Sequence, residues 1–555
     1  MNIKNIKYLA LISFFTLIGC NDEEFLTEEA KTFYTTDNIF SSGTQVDQSL
    51  ITLYSADRRM RTANNLFGLG VFQGKGSDTF VAPAFRQGQN FSDYSQINPD
   101  DGRIADIFNL HYQIISYANT TLEAANREGI EFDTPEAKAY VIAQARFFRG
   151  RTYGSLAQLF GGVPIVEVVA TEPKFDYTRA TREEVYQFAI DDLEAALPDL
   201  PEMTDQPGRV VKGAAQHLLS EFYLSLGIET NNEAAYDKAI EYASDVIDGG
   251  IYSLMTERFG SRADEPGKDV YWDLFRLNNI NYADGNLESI WTYQKDFGAF
   301  TAGDGNAVLE HPRYWMPVWR AIPGVVGVEE YVGGRGVAFF IPTPLTETII
   351  WDPAISDGDI RGSETNIRRT ILYNDPENPD QLGKEVAPED IAVAEAGLPG
   401  SIYPIFEKFT TDMFEGLDQG QNRSNIFRDR YAIRLPETIL LRAEAYHRKG
   451  NNQAAADDIN MIRSRAQSNI LVAPEDVDID YILDERAREL FGEETRWHTL
   501  LRMGGTVAVD RIKKYVQHPW VATSLNFNFN LWPIPQGAID RNKDVVWEQN
   551  PGWNR

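Results

Sequence analysis

The chain has 555 residues, 43% of them hydrophobic and 12% aromatic, and it carries a formal charge of −30 and a single cysteine. That length and apolar content describe a folded protein with a large core. So acidic a surface repels phosphate backbones and anionic lipid, which argues against nucleic acid as a partner and against electrostatic adhesion to a membrane, and one cysteine excludes an internal disulfide and a cysteine-ligated zinc.

The first twenty residues combine Lys4 and Lys7, an apolar run from Tyr8 to Ile18, and the closing sequence Leu17-Ile18-Gly19-Cys20. The run is shorter than the roughly 20 apolar residues a spanning helix needs, and its order of basic, apolar and small residues is that of an export signal. It resembles a bacterial lipoprotein signal. The resemblance implies cleavage before Cys20 and anchoring through acyl chains on Cys20, each buried CH₂ contributing about 0.8 kcal/mol. Residues 1–19 are then signal peptide and 20–40 an acidic tether, where Asn21-Asp22-Glu23-Glu24 is similar to the surface-export tag of Bacteroidetes lipoproteins. The location this implies is the cell outer membrane, facing outward.

Residues 41–555 read as one domain of two textures. Helical periodicity fills about 41–63, 103–249 and 435–503, whereas about 64–102 and 250–434 are rich in Gly, Pro and aromatics. Thr181 and Glu184 form a capping box ahead of Val185, Ala189, Leu193 and Ala196, and Pro198 stops the run. The small residues Ala189 and Ala196 suit the second helix of a tetratricopeptide-type repeat, whose first helix would be about Ala139 to Phe160. The pattern recurs in Ala443, Tyr446, Gly450, Ala455 and Ile459, continued by Ile462 and Ala466. A looser copy holds Ser220, Tyr223 and Gly227, then an insertion through Thr230 and Asn231 before Tyr236, Ala239 and Val246. Three to four helix pairs are expected to stack on one core although distant in sequence. The expected fold is therefore mainly α, a tetratricopeptide-like helical scaffold bearing a large irregular, partly β, inserted binding region. Val337 to Ile341 has strand length.

Several motifs in order carry a family resemblance. The run from Tyr431 to Tyr446 begins Tyr431-Ala432-Ile433-Arg434-Leu435-Pro436-Glu437 and ends Leu441-Arg442-Ala443-Glu444-Ala445-Tyr446. Asp484-Glu485-Arg486-Ala487-Arg488-Glu489-Leu490, Thr495-Arg496-Trp497-His498, Trp532-Pro533-Ile534-Pro535 and Gln549-Asn550-Pro551-Gly552-Trp553 follow, and Ala145-Arg146-Phe147-Phe148-Arg149-Gly150 and Phe160-Gly161-Gly162-Val163-Pro164 stand nearer the start. Together they resemble the SusD/RagB family of Bacteroidetes outer-membrane lipoproteins. The resemblance implies a non-catalytic capture protein that binds polysaccharide or oligosaccharide and hands it to a partner TonB-dependent, SusC-like outer-membrane transporter.

No catalytic residue, cofactor or metal is expected. The six histidines lack the paired helical spacing of a zinc site. Asp357-Gly358-Asp359 has only a superficial likeness to a calcium loop, because Arg361 stands where an oxygen ligand is required, and it reads as a surface turn. Carboxylate pairs that could serve a glycoside hydrolase arise by chance among 82 acidic residues. The competing readings are that hydrolase and a helical-repeat scaffold that binds proteins.

A pyranose packs its C–H face on an exposed aromatic ring beside hydrogen-bonding groups. Trp272, Trp291, Trp497, Trp532, Trp547 and Trp553 read as scaffold, Trp351 is ambiguous, and Trp520 is a weaker candidate. Trp315 and Trp319, flanked by Arg313 and Arg320 inside the irregular region, are the first glycan-binding candidates. Their arginines favour a uronate-bearing or sulfated polysaccharide; the alternative is a buried aromatic knot whose arginines pair with local acids. Arg86 and Asn90, within Phe85-Arg86-Gln87-Gly88-Gln89-Asn90-Phe91, are the second candidates.

Overall fold

A computed structural model describes residues 39–62, 74–83, 94, 97–170, 172–305, 307–326, 333–410, 426–518 and 530–553. The periodic segments form α1 (Gly43–Thr62), α2 (Gly102–Asn126), α3 (Pro135–Phe160), α4 (Arg182–Ala196), α5 (Lys212–Thr230), α6 (Glu233–Ile247), α7 (Leu435–Arg448) and α8 (Asn452–Arg465). Each packs on the next, and α6 meets α7 across the whole intervening irregular region. The expected stack of distant pairs is therefore present.

Local chemistry sets these helices. Thr134 caps α3 by accepting from the Ala137 N–H, with Pro135 in the first turn. Thr181 and Glu184 form the capping box of α4 as expected. α5 ends on Asn231 in the left-handed conformation, φ 53°, and Asn232 then caps α6, so the supposed insertion is a tight turn. Small residues bring the helices close. A Cβ on Gly150 would stand 2.8 Å from the Ala189 carbonyl oxygen, and one on Gly154 2.0 Å from the Phe222 ring.

The irregular region is tied by three two-stranded antiparallel sheets. β1 (Phe80–Val81) pairs with β3 (Ile341–Pro342), β2 (Ser289–Tyr293) with β6 (Arg430–Arg434), and β4 (Ile367–Arg368) with β5 (Ile405–Phe406). Of the expected strand at 337–341 only Ile341 joins a ladder. β6 runs straight into α7, so the β2–β6 pair fixes the irregular region to the scaffold.

Charge does the same inside the core. α9 (Ile479–Leu490) buries Glu485 and Glu489. Arg361 reaches Asp359 at 2.6 Å, Glu485 at 2.8 Å and Glu489 at 2.9 Å. Arg463 and Arg488 hold Glu485 at 2.9 and 2.8 Å, and Arg434 reaches Glu489 at 2.6 Å and Glu288 at 2.7 Å. The surface turn expected at 357–359 holds for Asp357 and Gly358, which are exposed, and is corrected at Asp359, which is buried with Arg361 because the turn delivers them to this network; Asp357 accepts from the Asn469 amide. A second cluster binds Asp78 between Arg496 and Arg511, each at 2.7 Å.

Burial opposes ionisation of these carboxylates, but the guanidiniums outweigh it. Asp78 is held at about 2 by Arg496 and Arg511, Glu485 at about 2 by Arg361, Arg488 and Arg463, and Glu444 at about 2 by Arg502 and Arg448. Depressed pKa values give stability that is present above the ordinary carboxylate range and lost as pH falls toward 2. Asp429 works oppositely: burial raises it to about 6, so it loses stability as pH rises through that value. The strong depression of Asp78, Glu444 and Glu485, joined by Glu489, Glu493 and Glu494 on the same arginines, predicts a melting temperature that drops steeply between pH 5 and pH 3, followed by circular dichroism. A flat profile over that interval would contradict the assignment.

Candidate functional site

The first candidates lie in the irregular region but point inward. Trp315 closes the helical turn His311–Trp315 and is 1% exposed. Its ring sits 5.1 Å from Phe409, 5.0 Å from Phe340 and 5.3 Å from His311. Trp319 is 2% exposed among Met316, Ile322, Ile371 and Ile405, and its indole N–H donates to the Tyr403 carbonyl at 3.3 Å. Neither ring offers a face to a sugar, so the stacking role expected for this pair is corrected: the cluster is the buried aromatic knot. The physical reason is size. A region this large and poor in regular structure needs its own core, and tryptophan fills it.

The arginines divide. Arg313, its side chain 43% exposed, pairs with Glu310 at 2.9 Å and lies 5.6 Å over Phe339. Arg320 donates to the Gly336 carbonyl. Burial and the neighbouring Arg335 lower the Arg320 pKa. Cys20, Arg86, Asn90 and Trp520 lie outside the described residues. β1 packs Phe80 edge-on to Trp315 at 6.5 Å. Trp315 thus packs against the β1–β3 ladder.

What does reach the surface there is an aromatic group that sequence reasoning missed. Asp296 caps the short helix Phe297–Thr301 by accepting from Ala299. Phe297, 39% exposed, and Phe300 both contact Phe427, at 5.2 and 5.5 Å between ring centres. Leu309 and Ile426 exchange two hydrogen bonds of 2.8 Å, which sets Phe427 beside the Leu309–Arg313 segment. The available signal was the i, i+3 phenylalanine pair behind a capping aspartate; Phe427 arrives from far along the chain and gave none. In the 309–313 segment His311 is buried against Trp315 and Phe409, its pKa lowered by burial and by Arg430, Arg428 and Lys295. Its two ring nitrogens and the Trp315 indole nitrogen are buried without a hydrogen-bond partner. Among the described residues no group of three or more His, Cys, Asp or Glu side chains could hold a metal ion.

If Trp315 is core, Trp315→Ala should cost about 3–5 kcal/mol in denaturant unfolding, and Trp315→Phe distinctly less, because the indole N–H bonds nothing. Equal losses for the two variants, or none, would place the ring outside the core.

Comparison with known proteins agrees with this architecture. A model of the SusD family matches residues 401–553, and one described as starch-binding associating with outer membrane matches residues 24–224. A SusD-like protein of Bacteroides ovatus is 24% identical over 93% of this chain and 85% of its own length. A SusD homolog from Bacteroides thetaiotaomicron superposes with a TM-score of 0.71 at 19% identity, covering 94% of this chain and all of that one. A solved structure described as a laminarin binding SusD-like protein superposes with a TM-score of 0.66 at 22% identity, covering 93% and 100%. Two family models spanning both ends of the helical stack, with curated and structural relatives alike over nearly the whole chain, establish that this protein belongs to the SusD/RagB family.

Proposed function

We propose that this chain is a glycan-binding protein of the cell surface that captures polysaccharide and delivers it to a TonB-dependent, SusC-like transporter. The observation that carries the reading is the Phe297, Phe300 and Phe427 group, in which Phe297 is exposed and the other two rings are half-buried, set beside the polar Glu310–Arg313 pair on an irregular region braced by a rigid scaffold. Exposed rings next to hydrogen-bonding groups are what a pyranose face requires. The laminarin-binding relative supports a carbohydrate ligand. No helix among the described residues is long and apolar enough to cross a membrane, and acyl chains on Cys20 would supply the anchor. The finer proposal, a uronate-bearing or sulfated polymer, takes Arg313 as its anion contact. The protein binds and does not cleave.

The mature chain should be retarded in native gels containing laminarin or alginate and should release no reducing sugar from either. Phe297→Ala and Phe427→Ala should each weaken retention by about 1–2 kcal/mol, the loss of one partly exposed ring contact. Unaltered migration in both polymers would sink the capture reading, and reducing sugar released by the protein would favour a hydrolase.

A further inference from the structure

A cleft of about 360 Å³ opens on the helical scaffold, with none of its lining drawn from residues 250–434. One wall is the middle of α2, another is formed by residues 164–170 and 174–177, and the third is the segment from Ala538 to Trp547. The walls are locked. The Tyr112 hydroxyl donates to the Pro164 carbonyl at 2.8 Å, the Asn119 amide to Val166 at 2.8 Å, and the Asn542 amide and Trp547 indole to Tyr177 at 2.8 and 2.7 Å. These bonds satisfy the interior polar groups and hold the aromatic surfaces in place.

The mouth is different. Asn109, Ser116 and Arg541 line the cleft, are exposed, and use no side-chain group in a bond within the protein. Phe175 is 38% exposed, with the Lys543 ammonium 4.3 Å from its ring centre. Lys174 lies 5.0 Å over Tyr177 and meets only the exposed Asp176, at 3.8 Å. Three cations therefore surround one aromatic cleft on a chain whose formal charge is −30. The volume is at the lower end of small-molecule sites and suits about two sugar rings. Aromatic faces, a free amide, a free hydroxyl and an unpaired guanidinium are the groups that hold a pyranose bearing a carboxylate or sulfate.

We infer that this cleft is a second glycan site, separate from the Phe297–Phe427 surface, and that it takes a short acidic oligosaccharide. The inference rests on the glycan-capture reading above. Calorimetric titration of the mature chain with tetragalacturonate should give a saturable site that size-matched neutral laminaritetraose occupies at least tenfold more weakly. Phe175→Ala and Arg541→Gln, both at exposed positions, should each reduce tetragalacturonate affinity at least tenfold while laminarin retention in gels stays at the wild-type level. Unchanged tetragalacturonate affinity in both variants overturns the assignment, as does equal affinity for the neutral tetrasaccharide or a parallel loss of laminarin retention. Polysaccharide retained without any tetragalacturonate binding defeats this inference and the uronate form of the finer proposal but leaves capture standing, whereas absence of all glycan binding defeats the capture reading as well.

Discussion

The structure depends on charge that has been taken out of water and met there by opposite charge. Arg276, Arg361, Arg434, Arg463, Arg486, Arg488, Arg496, Arg502 and Arg511 are among the largest fully buried side chains. An unpaired buried charge costs several kcal/mol, so each of these must meet acceptors in fixed positions before the fold is stable. Glu489 shows how far this goes. Burial raises its pKa, yet Arg465, Arg434 and Arg361 together hold it far below the ordinary carboxylate range. Those three arginines come from α8, the end of β6 and the irregular region. One carboxylate on α9 thus sets the positions of segments more than a hundred residues apart.

That arrangement explains how a region with so little regular structure can present a defined surface. Its ladders are two to five residues long, too short to fix a register by themselves. The ion network fixes the turn at Asp359–Arg361, the aromatic knot of Trp315, Phe340 and Phe409 fills the space behind, and the β2–β6 pair carries both onto α7. Ring contacts that stay outside, such as Phe297 on Phe427, then sit on a support that does not need to reorganise when a ligand arrives.

The helical scaffold was legible because its signals are local. The capping box at Thr181, the alanines of α4 and the repeat around Ala443 each act within a few residues, and each led to an element at the expected place. The left-handed turn at Asn231 was mistaken for an insertion because asparagine in that conformation is one choice among several that a sequence allows. In the irregular region the same approach failed for a physical reason. Whether Trp315 faces solvent is decided by Phe340 and Phe409, and whether Arg361 sits in water is decided by Glu485 and Glu489. Those partners are distant in the chain, so no pattern around either residue contains the answer. The aromatic density of the region identified where a surface could form, and only the fold distinguishes Phe297 from Trp315.

The central claim is that Glu489 couples scaffold and irregular region, and Glu489→Gln tests it because the amide keeps the shape while removing the charge. Hydrogen exchange on this variant, read alongside denaturant unfolding, should show a global loss of about 3–5 kcal/mol. Exchange should be fastest over residues 359–367 and at β6, the places whose arginines lose their shared acceptor. A loss below about 1 kcal/mol, or faster exchange confined to α9, would mean that packing alone joins the two parts and that the buried charges are incidental to it.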